Sequence, residues 1–117
     1  MIQVEVTDIF QSWYAGLSDD DAQAVNRYVG LLESQGVTLD HPYSSKLHNS
    51  RYNLRELRVQ SGGRPLRPLY VFDPSRTAVL LVGGDKTGND RYYEKMIPIA
   101  ERIYEQYLAE TGQAKKT

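Results

Sequence analysis

Between residues 53 and 82, three segments with the patterns of β-strands follow one another with only short turns between them. The strand patterns cover residues 53–60, 66–73 and 78–82, and the turns contain glycine or proline at residues 61–63 and 73–75. Turns this short join neighbouring antiparallel strands. The last segment is continuously apolar, which is typical of a central strand. This stretch predicts a three-stranded antiparallel meander, with the prolines at 65 and 68 limiting the start of its second strand to an edge or a bulge.

Helical patterns precede and follow the meander. Residues 2–6 alternate as a half-buried strand, a short helix begins at about Asp8, and a second helix is capped by Ser18 and ended by Gly36. After the glycine-rich turn at residues 83–88, a long helix is expected with its N-cap near Asn89 or Asp90. Pro98 lies inside it and predicts a kink or a division, because its nitrogen cannot donate a hydrogen bond.

The resulting order β-α-α-β-β-β-α predicts an α+β fold: a small, mostly antiparallel sheet, two N-terminal helices packed on one face, and a C-terminal helix. A chain of 117 residues forms one domain, expected at residues 1–111, with a flexible tail at 112–117. The absence of cysteine excludes disulfide scaffolds and thiol catalysis, and two isolated histidines give no zinc motif. Without a signal sequence or a long apolar run, a cytoplasmic protein that does not contact membranes is expected.

The net charge is only −1, but the charges are unevenly distributed. Residues 1–45 carry seven acidic side chains and one basic one, whereas residues 46–95 carry ten basic and five acidic side chains. A basic region in an otherwise acidic chain is typical of a polyanion-binding site. The alternative is a solvated basic surface without a ligand, and charge alone favours neither.

Three basic side chains are predicted to meet at one end of the meander. Arg58 lies late on the first strand, Arg67 early on the second, and Lys86 just after the third. In an antiparallel meander these positions share one end of the sheet. The turn at residues 83–88 lacks the Walker spacing and instead offers an anion site beside the start of a helix. Such a group of cations suits chemistry in which a phosphate gains negative charge in the transition state.

Three segments resemble a known family: NLRELRV at 53–59, RPLYVFD at 67–73 and LLVGGDKTG at 80–88. Together with the element order, they resemble the RelE/ParE superfamily of bacterial toxins, and within it the HigB-like, phage Gp49-like branch. The resemblance implies a toxin that enters the ribosomal A site and cleaves messenger RNA without a metal or other cofactor. It also implies an antitoxin, encoded next to the toxin and commonly of the helix-turn-helix type, that holds the toxin inactive.

The resemblance also assigns catalytic roles by position. Arg67 matches the arginine of the family's Arg-x-x-Tyr pattern and is expected to stabilise the charged phosphorane. Lys86 or Arg58 is expected to assist the leaving 5′-oxygen. Tyr92 is expected to orient the 2′-hydroxyl or take its proton, which requires neighbouring cations to lower its pKa. The remaining RNA-binding candidates are Lys46, Arg51, Arg55, Arg64, Arg91, Tyr93 and Lys95.

Two other functions remain open on the same fold. One is inhibition of DNA gyrase, as in ParE toxins, and the other is a non-catalytic, phage-derived module whose basic surface binds an acidic partner. Plainer interpretations of single residues also stand. Tyr92 or Tyr93 packs on the sheet, and Arg55 and Arg58 form surface ion pairs with Glu56 or Asp73. His41 and His48 lie in the polar, irregular segment 37–52 and are interpreted as loop residues.

Overall fold

The computed structural model describes residues 1–114, which form three helices and seven short strands. The elements are β1 (Val4–Val6), α1 (Asp8–Ala15), α2 (Asp19–Gln35), a 3-10 turn (Gly36–Thr38), β2 (Ser44–Lys46), β3 (Arg55–Leu57), β4 (Val59–Ser61), β5 (Arg64–Leu66), β6 (Leu69–Phe72), β7 (Ala78–Val82) and α3 (Tyr92–Glu110). The predicted α+β class is confirmed. No helix within residues 1–114 is long and apolar enough to cross a membrane.

Five of the strands form one mixed sheet in the order β1-β7-β6-β3-β2. Three of the four strand pairs are antiparallel: β7–β6, β6–β3 and β3–β2. The fourth pair, β1–β7, is parallel. The apolar strand β7 is therefore internal, as predicted. Because β1 and β2 form the two edges, the segment around β2 lies at the edge of the sheet opposite the N-terminal strand.

The two long strands predicted at 53–60 and 66–73 are each divided in the structure. The first breaks at Arg58, whose backbone N–H donates to Tyr43 O, and the second breaks at Arg67 and Pro68. Pro68 has no N–H to give to a ladder, so the chain bends there, and β4 and β5 continue as a separate two-stranded hairpin. This bend carries Arg58 and Arg67 out of the regular sheet.

A strand that the sequence did not predict, β2, lies within the polar segment 37–52. Its serines are buried because each hydroxyl has a partner: Ser44 Oγ lies 2.6 Å from Tyr70 Oη, and Ser45 Oγ donates to Glu56 at 2.6 Å. Polar residues in a strand therefore satisfy their hydrogen bonds with other side chains of the sheet. Hydrophobic periodicity does not detect such a strand.

Helices cover both faces of the sheet. On one face, α1 and α2 pack against residues that include Leu57, Tyr70 and Leu80, as predicted for two helices. On the other face, α3 packs against a second cluster that includes Leu69 and Leu81. Adjacent residues of β3 thus face opposite helices, and Glu56 points to the side of α3.

The helix ends follow their capping residues. Ser18 Oγ accepts the N–H of Asp21, and Gly36 ends α2 with a positive φ of 57°, so both predicted caps are confirmed. The N-cap of α3 is Arg91, one to two residues later than predicted, and the helix starts at Tyr92. The helix runs undivided through Pro98, whose exposed position places the lost hydrogen bond on the solvent side.

The chain remains bonded to the domain after α3. Gln113 donates from Nε2 to Asp73 at 3.0 Å, and its backbone N–H donates to Leu108 O. The predicted boundary at residue 111 stays a prediction, and residues 115–117 of the predicted tail lie outside the described residues.

Two glycines offer a matched test of the packing. A Cβ on Gly83, at the end of β7, lies 2.3 Å from the Trp13 ring, whereas a Cβ on Gly30 in α2 meets no atom within 4 Å. We expect Gly83→Ala to lower the free energy of unfolding by about 1–3 kcal/mol through overpacking. Gly30→Ala should raise it by up to about 1 kcal/mol through helix propensity. Urea unfolding followed by the fluorescence of Trp13 measures both, and equal midpoints for the two variants contradict this packing.

Candidate functional site

An open groove of about 870 Å³ lies beside the edge strand β2, on the face that α3 covers. Its walls come from β2 and the following loop, the break between β3 and β4, the glycine-rich turn and the start of α3. Each of these elements contributes a cation to the lining: Lys46, Arg58, Lys86 and Arg91. Four carboxylates also line the groove: Glu56, Asp90, Glu94 and Glu101. Of the three basic residues expected to meet, Arg58 and Lys86 line this groove, together with Lys46 and Arg91, which were expected to bind RNA.

The carboxylate of Glu56 forms the floor of this groove and organises it. Its side chain is 4% exposed, and it accepts hydrogen bonds from Ser45 Oγ and Tyr93 Oη at 2.6 Å and from Arg58 Nη1 at 3.1 Å. Arg67 Nε lies 3.5 Å away as a second cation. A buried carboxylate is tolerated only with such partners. Glu56 therefore orients Arg58 and Tyr93 at the groove, and no carboxylate was predicted at this site.

Arg67 occupies the interior rather than the groove. It is 5% exposed, and its Nη1 donates to the carbonyl oxygens of Val59 and Leu66, both at 3.1 Å. Its Nε is buried and makes no hydrogen bond among the described residues, although it lies within ion-pair distance of Glu56. Because Arg67 does not line the groove, the geometry gives no support to the direct phosphate contact expected of it, which stays a prediction.

Tyr92 is also buried, at 2% exposure, and its hydroxyl donates to Arg67 O at 2.8 Å. Its ring packs against Gly84, where a Cβ would lie 2.9 Å away. Burial raises the pKa of Tyr92 above its usual value, with further contributions from Tyr93 and Glu56. The predicted lowering of this pKa by neighbouring cations is wrong, and the interpretation of Tyr92 as a packing residue fits the structure.

The adjacent tyrosine, Tyr93, lines the groove instead. Burial and the hydrogen bond to Glu56 raise the pKa of Tyr93 to about 12, so its phenol is a proton-holding donor at neutral pH. Lys86 Nζ lies 4.9 Å from the centre of its ring, in a cation–π contact. Tyr93 therefore links the Glu56 carboxylate to the Lys86 ammonium.

Arg64, predicted to bind RNA, holds the turn that carries Lys86. It pairs with the buried Asp21 of α2 and, at 2.9 Å, with Asp85. Hydrogen bonds from Arg64 and Ser61 hold the pKa of Asp21 below its usual value. Since the Lys86 N–H also donates to Pro65 O at 2.9 Å, the turn is attached to the β4–β5 hairpin at two points.

The other predicted RNA-binding residues are divided between the groove and the rest of the surface. Lys46, Arg91 and Tyr93 line the groove, with Arg91 also pairing with Glu94. The four that do not line it are Arg51, which pairs with Glu101 and Glu105; Arg55, which lies on the opposite face of the sheet; Arg64; and Lys95, on the exposed surface of α3.

Sequence reasoning missed the two histidines. Both His41 and His48, the two histidines of the chain, line the same groove as the four cations. They flank β2, and the loop after it is anchored where Glu101 accepts the N–H of Arg51 at 2.6 Å and the hydroxyl of Ser50 at 3.2 Å. Because the two histidines lie just before and just after β2, recognising Ser44–Lys46 as a strand would have placed both at the same sheet edge. Hydrophobic periodicity does not identify this strand, so the sequence contained no direct indication of their position.

Comparison with known proteins identifies the chain. The phage-derived Gp49-like family matches residues 12–105. The chain is 42% identical over 101 residues to HigB3, a toxin candidate of Mycobacterium tuberculosis, with 85% of this chain and 87% of HigB3 covered. The chain belongs to the Gp49-like family. HigB2, a second toxin candidate of the same organism, is 33% identical over 107 residues, which are 89% of this chain and 53% of HigB2, so the chain spans about half of HigB2.

Two solved structures share the fold. A mutant of the E. coli toxin RelE in the free state has a TM-score of 0.59 at 9% identity, covering 81% of this chain and 94% of RelE. A metal-bound toxin from Helicobacter pylori has a TM-score of 0.53 at 16% identity, covering 76% and 99%. The chain is thus a HigB-like toxin of a toxin–antitoxin system, and a cognate antitoxin is the partner that this class implies.

The role of Glu56 in this HigB-like toxin predicts a stability effect. Glu56→Gln keeps the shape of the side chain but leaves Arg67 buried without a counter-ion, so the free energy of unfolding should fall by about 3 kcal/mol. The control Glu94→Gln removes an exposed pair with Arg91 and should change it by less than about 1 kcal/mol. Urea denaturation measures both variants. Equal stability of the two would show that Glu56 does not organise the interior.

Proposed function

We propose that this HigB-like toxin is an endoribonuclease that cleaves messenger RNA on the ribosome, without a metal, through attack of a ribose 2′-hydroxyl on the adjacent phosphate. One observation carries the proposal: four cations from separate elements surround the Glu56–Tyr93 pair in a groove that also contains both histidines. Phosphate binding, charge stabilisation and proton transfer can therefore all take place in one groove.

Arg58 and Lys86 are the proposed phosphate-binding and charge-stabilising residues. Arg58 is about one-third exposed and is oriented by Glu56, whereas Lys86 is held by the Tyr93 ring and by its turn. As the 2′-oxygen attacks, the phosphorane gains negative charge, and side chains that are already oriented stabilise it most effectively. In this proposal Arg58 takes the role that the family resemblance assigned to Arg67.

His41 and His48 are the proposed proton carriers. Imidazole is suited to accept and donate protons near neutral pH, whereas the raised pKa values of Tyr92 and Tyr93 make both phenols poor bases. One histidine takes the 2′-hydroxyl proton as the new O2′–P bond forms. The other gives a proton to the 5′-oxygen as the P–O5′ bond breaks, leaving a 2′,3′-cyclic phosphate and a 5′-hydroxyl.

Arg67 and Tyr92 become positioning residues in this proposal. Arg67 balances the charge of Glu56, and Tyr92 bonds to the backbone of Arg67. Substitution of either residue acts on catalysis through the orientation of Arg58 and Tyr93 rather than through a contact with RNA.

The charge distribution supports dependence on the ribosome. Only four cations line the groove, and the chain as a whole carries a net charge of −1, so free RNA is bound weakly at physiological salt. A ribosome that presents a single messenger strand raises its effective concentration at the groove. An acidic or amphipathic segment of the antitoxin, which the resemblance suggests is of the helix-turn-helix type, inhibits by pairing with the four cations of this groove.

The phosphate-binding role is tested by Arg58→Ala and Lys86→Ala, each expected to reduce messenger cleavage by about 10²–10³-fold. Arg27→Ala, on the exposed surface of α2, is the matched control and should keep full activity. Primer extension on messenger RNA incubated with purified ribosomes and toxin measures cleavage. If wild-type toxin leaves messenger RNA intact and poisons DNA gyrase, the ParE-like function is supported. If it does neither, the non-catalytic binding module is supported.

The proton-transfer role predicts a loss of activity when either histidine is replaced. His48→Gln and His41→Gln should each reduce the maximal rate of cleavage by about 10²–10⁴-fold. The far-ultraviolet circular dichroism of the variants serves as the folding control. Variants that cleave at the wild-type rate would contradict the assignment of the histidines while leaving the phosphate-binding residues in place.

A further inference from the structure

A second cavity, of about 350 Å³, lies on the opposite face of the sheet from the groove, and we call it the edge cavity. It is lined by Val37, Lys46, Asn53, Arg55 and Phe72. Lys46 lines both cavities, so the groove and the edge cavity meet at the edge strand β2. We propose that the edge cavity binds one unpaired guanine base of the RNA strand whose phosphates occupy the groove. This inference rests on the proposed function and adds a base-recognition site to it.

The strand register explains why these residue types meet. Lys46 lies opposite Arg55, and Arg55 lies opposite Tyr70, so the three side chains form a row across β2, β3 and β6. Asn53 lies two residues before Arg55 and Phe72 lies two residues after Tyr70, so both face the same side of the sheet as this row. Because α2 ends at Gln35 and the 3-10 turn follows, this corner of the sheet is left open, with Val37 exposed at its rim.

Arg55 is held in place by the protein. Its Nε lies 3.4 Å from Ser44 Oγ and 3.3 Å from Tyr70 Oη, and its Nη2 donates to Leu39 O at 3.3 Å. Within residues 1–114, its Nη1 makes no hydrogen bond, and its side chain is 20% exposed. A guanidinium held in this way presents a donor to a ligand without losing further conformational freedom.

The chemistry of the edge cavity matches a nucleobase. Open sheet faces that combine an aromatic ring with cations bind single-stranded nucleic acid, because the base stacks on the ring and the phosphates pair with the cations. Phe72 offers the ring, and Lys46 at the strand edge offers the cation between the two cavities. The Nη1 of Arg55 carries two N–H bonds, and guanine offers them two adjacent acceptors, O6 and N7, on one edge, whereas uracil has no N7.

The first experiment measures binding without the ribosome. The wild-type chain is titrated with guanosine monophosphate, uridine monophosphate and inorganic phosphate, and backbone amide shifts are followed by NMR. Guanosine monophosphate should shift the amides of Val37, Asn53 and Phe72 and should bind about tenfold more tightly than uridine monophosphate. Asn53→Ala and Phe72→Leu should weaken its binding by about tenfold, whereas Gln60→Ala, exposed on β4, should not. Shifts confined to the groove and equal for all three probes would overturn the proposal.

The second experiment separates this proposal from the proposed function. Cleavage sites on messenger RNA are mapped by sequencing for wild type and for the same variants. Asn53→Ala and Phe72→Leu should cleave while losing an enrichment of guanine next to the cut, whereas Arg58→Ala should cleave about 10²–10³-fold less. Asn53 is exposed, so its alanine variant is not subject to loss of folding. An unchanged site preference in both variants overturns the edge cavity alone. Guanosine-selective binding without any cleavage supports the cavity and overturns the nuclease.

Discussion

The buried carboxylate of Glu56 is the interaction on which the arrangement of the groove depends. It joins β2 through Ser45, the break in the meander through Arg58, the interior through Arg67 and the start of α3 through Tyr93. A charge at 4% exposure is stable only while these donors stay in place. The energetic requirement of one carboxylate therefore sets the positions of side chains from four segments. The same requirement turns Arg67 inward and leaves Arg58 as the guanidinium at the surface.

A second network, of ion pairs, holds the turn that carries Lys86 at the groove. Arg64 connects the first turn of α2 to the turn that carries Lys86, through Asp21 and Asp85. Asp21 thus has two roles, since its N–H donates to the Ser18 cap in the first turn of α2 and its carboxylate accepts from Arg64. Conversely, Arg64 is a cation whose charge is already compensated. A count of charges along the sequence does not distinguish cations that are paired within the protein from cations that are not. The basic region 46–95 therefore contains more cations than line the groove.

Sequence reasoning reached the fold class and the caps, but it placed the site only in part. The alternation around Leu57 and the apolar run of β7 report burial directly, so the antiparallel pairing could be predicted from them. The break at Pro68 was signalled by the proline, although its consequence, the inward rotation of Arg67, depends on the carbonyl groups of Val59 and Leu66 that receive it. Residue type alone does not distinguish an arginine that faces solvent from one that pairs with a buried acid.

What the sequence determined by itself is the local part of this protein: periodicity, capping residues, turn residues and the family to which they belong. These follow from neighbours within a few positions along the chain. Tertiary structure alone decided that β2 forms from polar residues, that His41 and His48 reach the groove, and that Tyr93 rather than Tyr92 lines it. Each of these outcomes depends on a partner distant in sequence. A buried polar group without a partner destabilises the protein, and its partner is usually a residue that only folding brings close. These hydrogen bonds and ion pairs therefore depend on the complete fold.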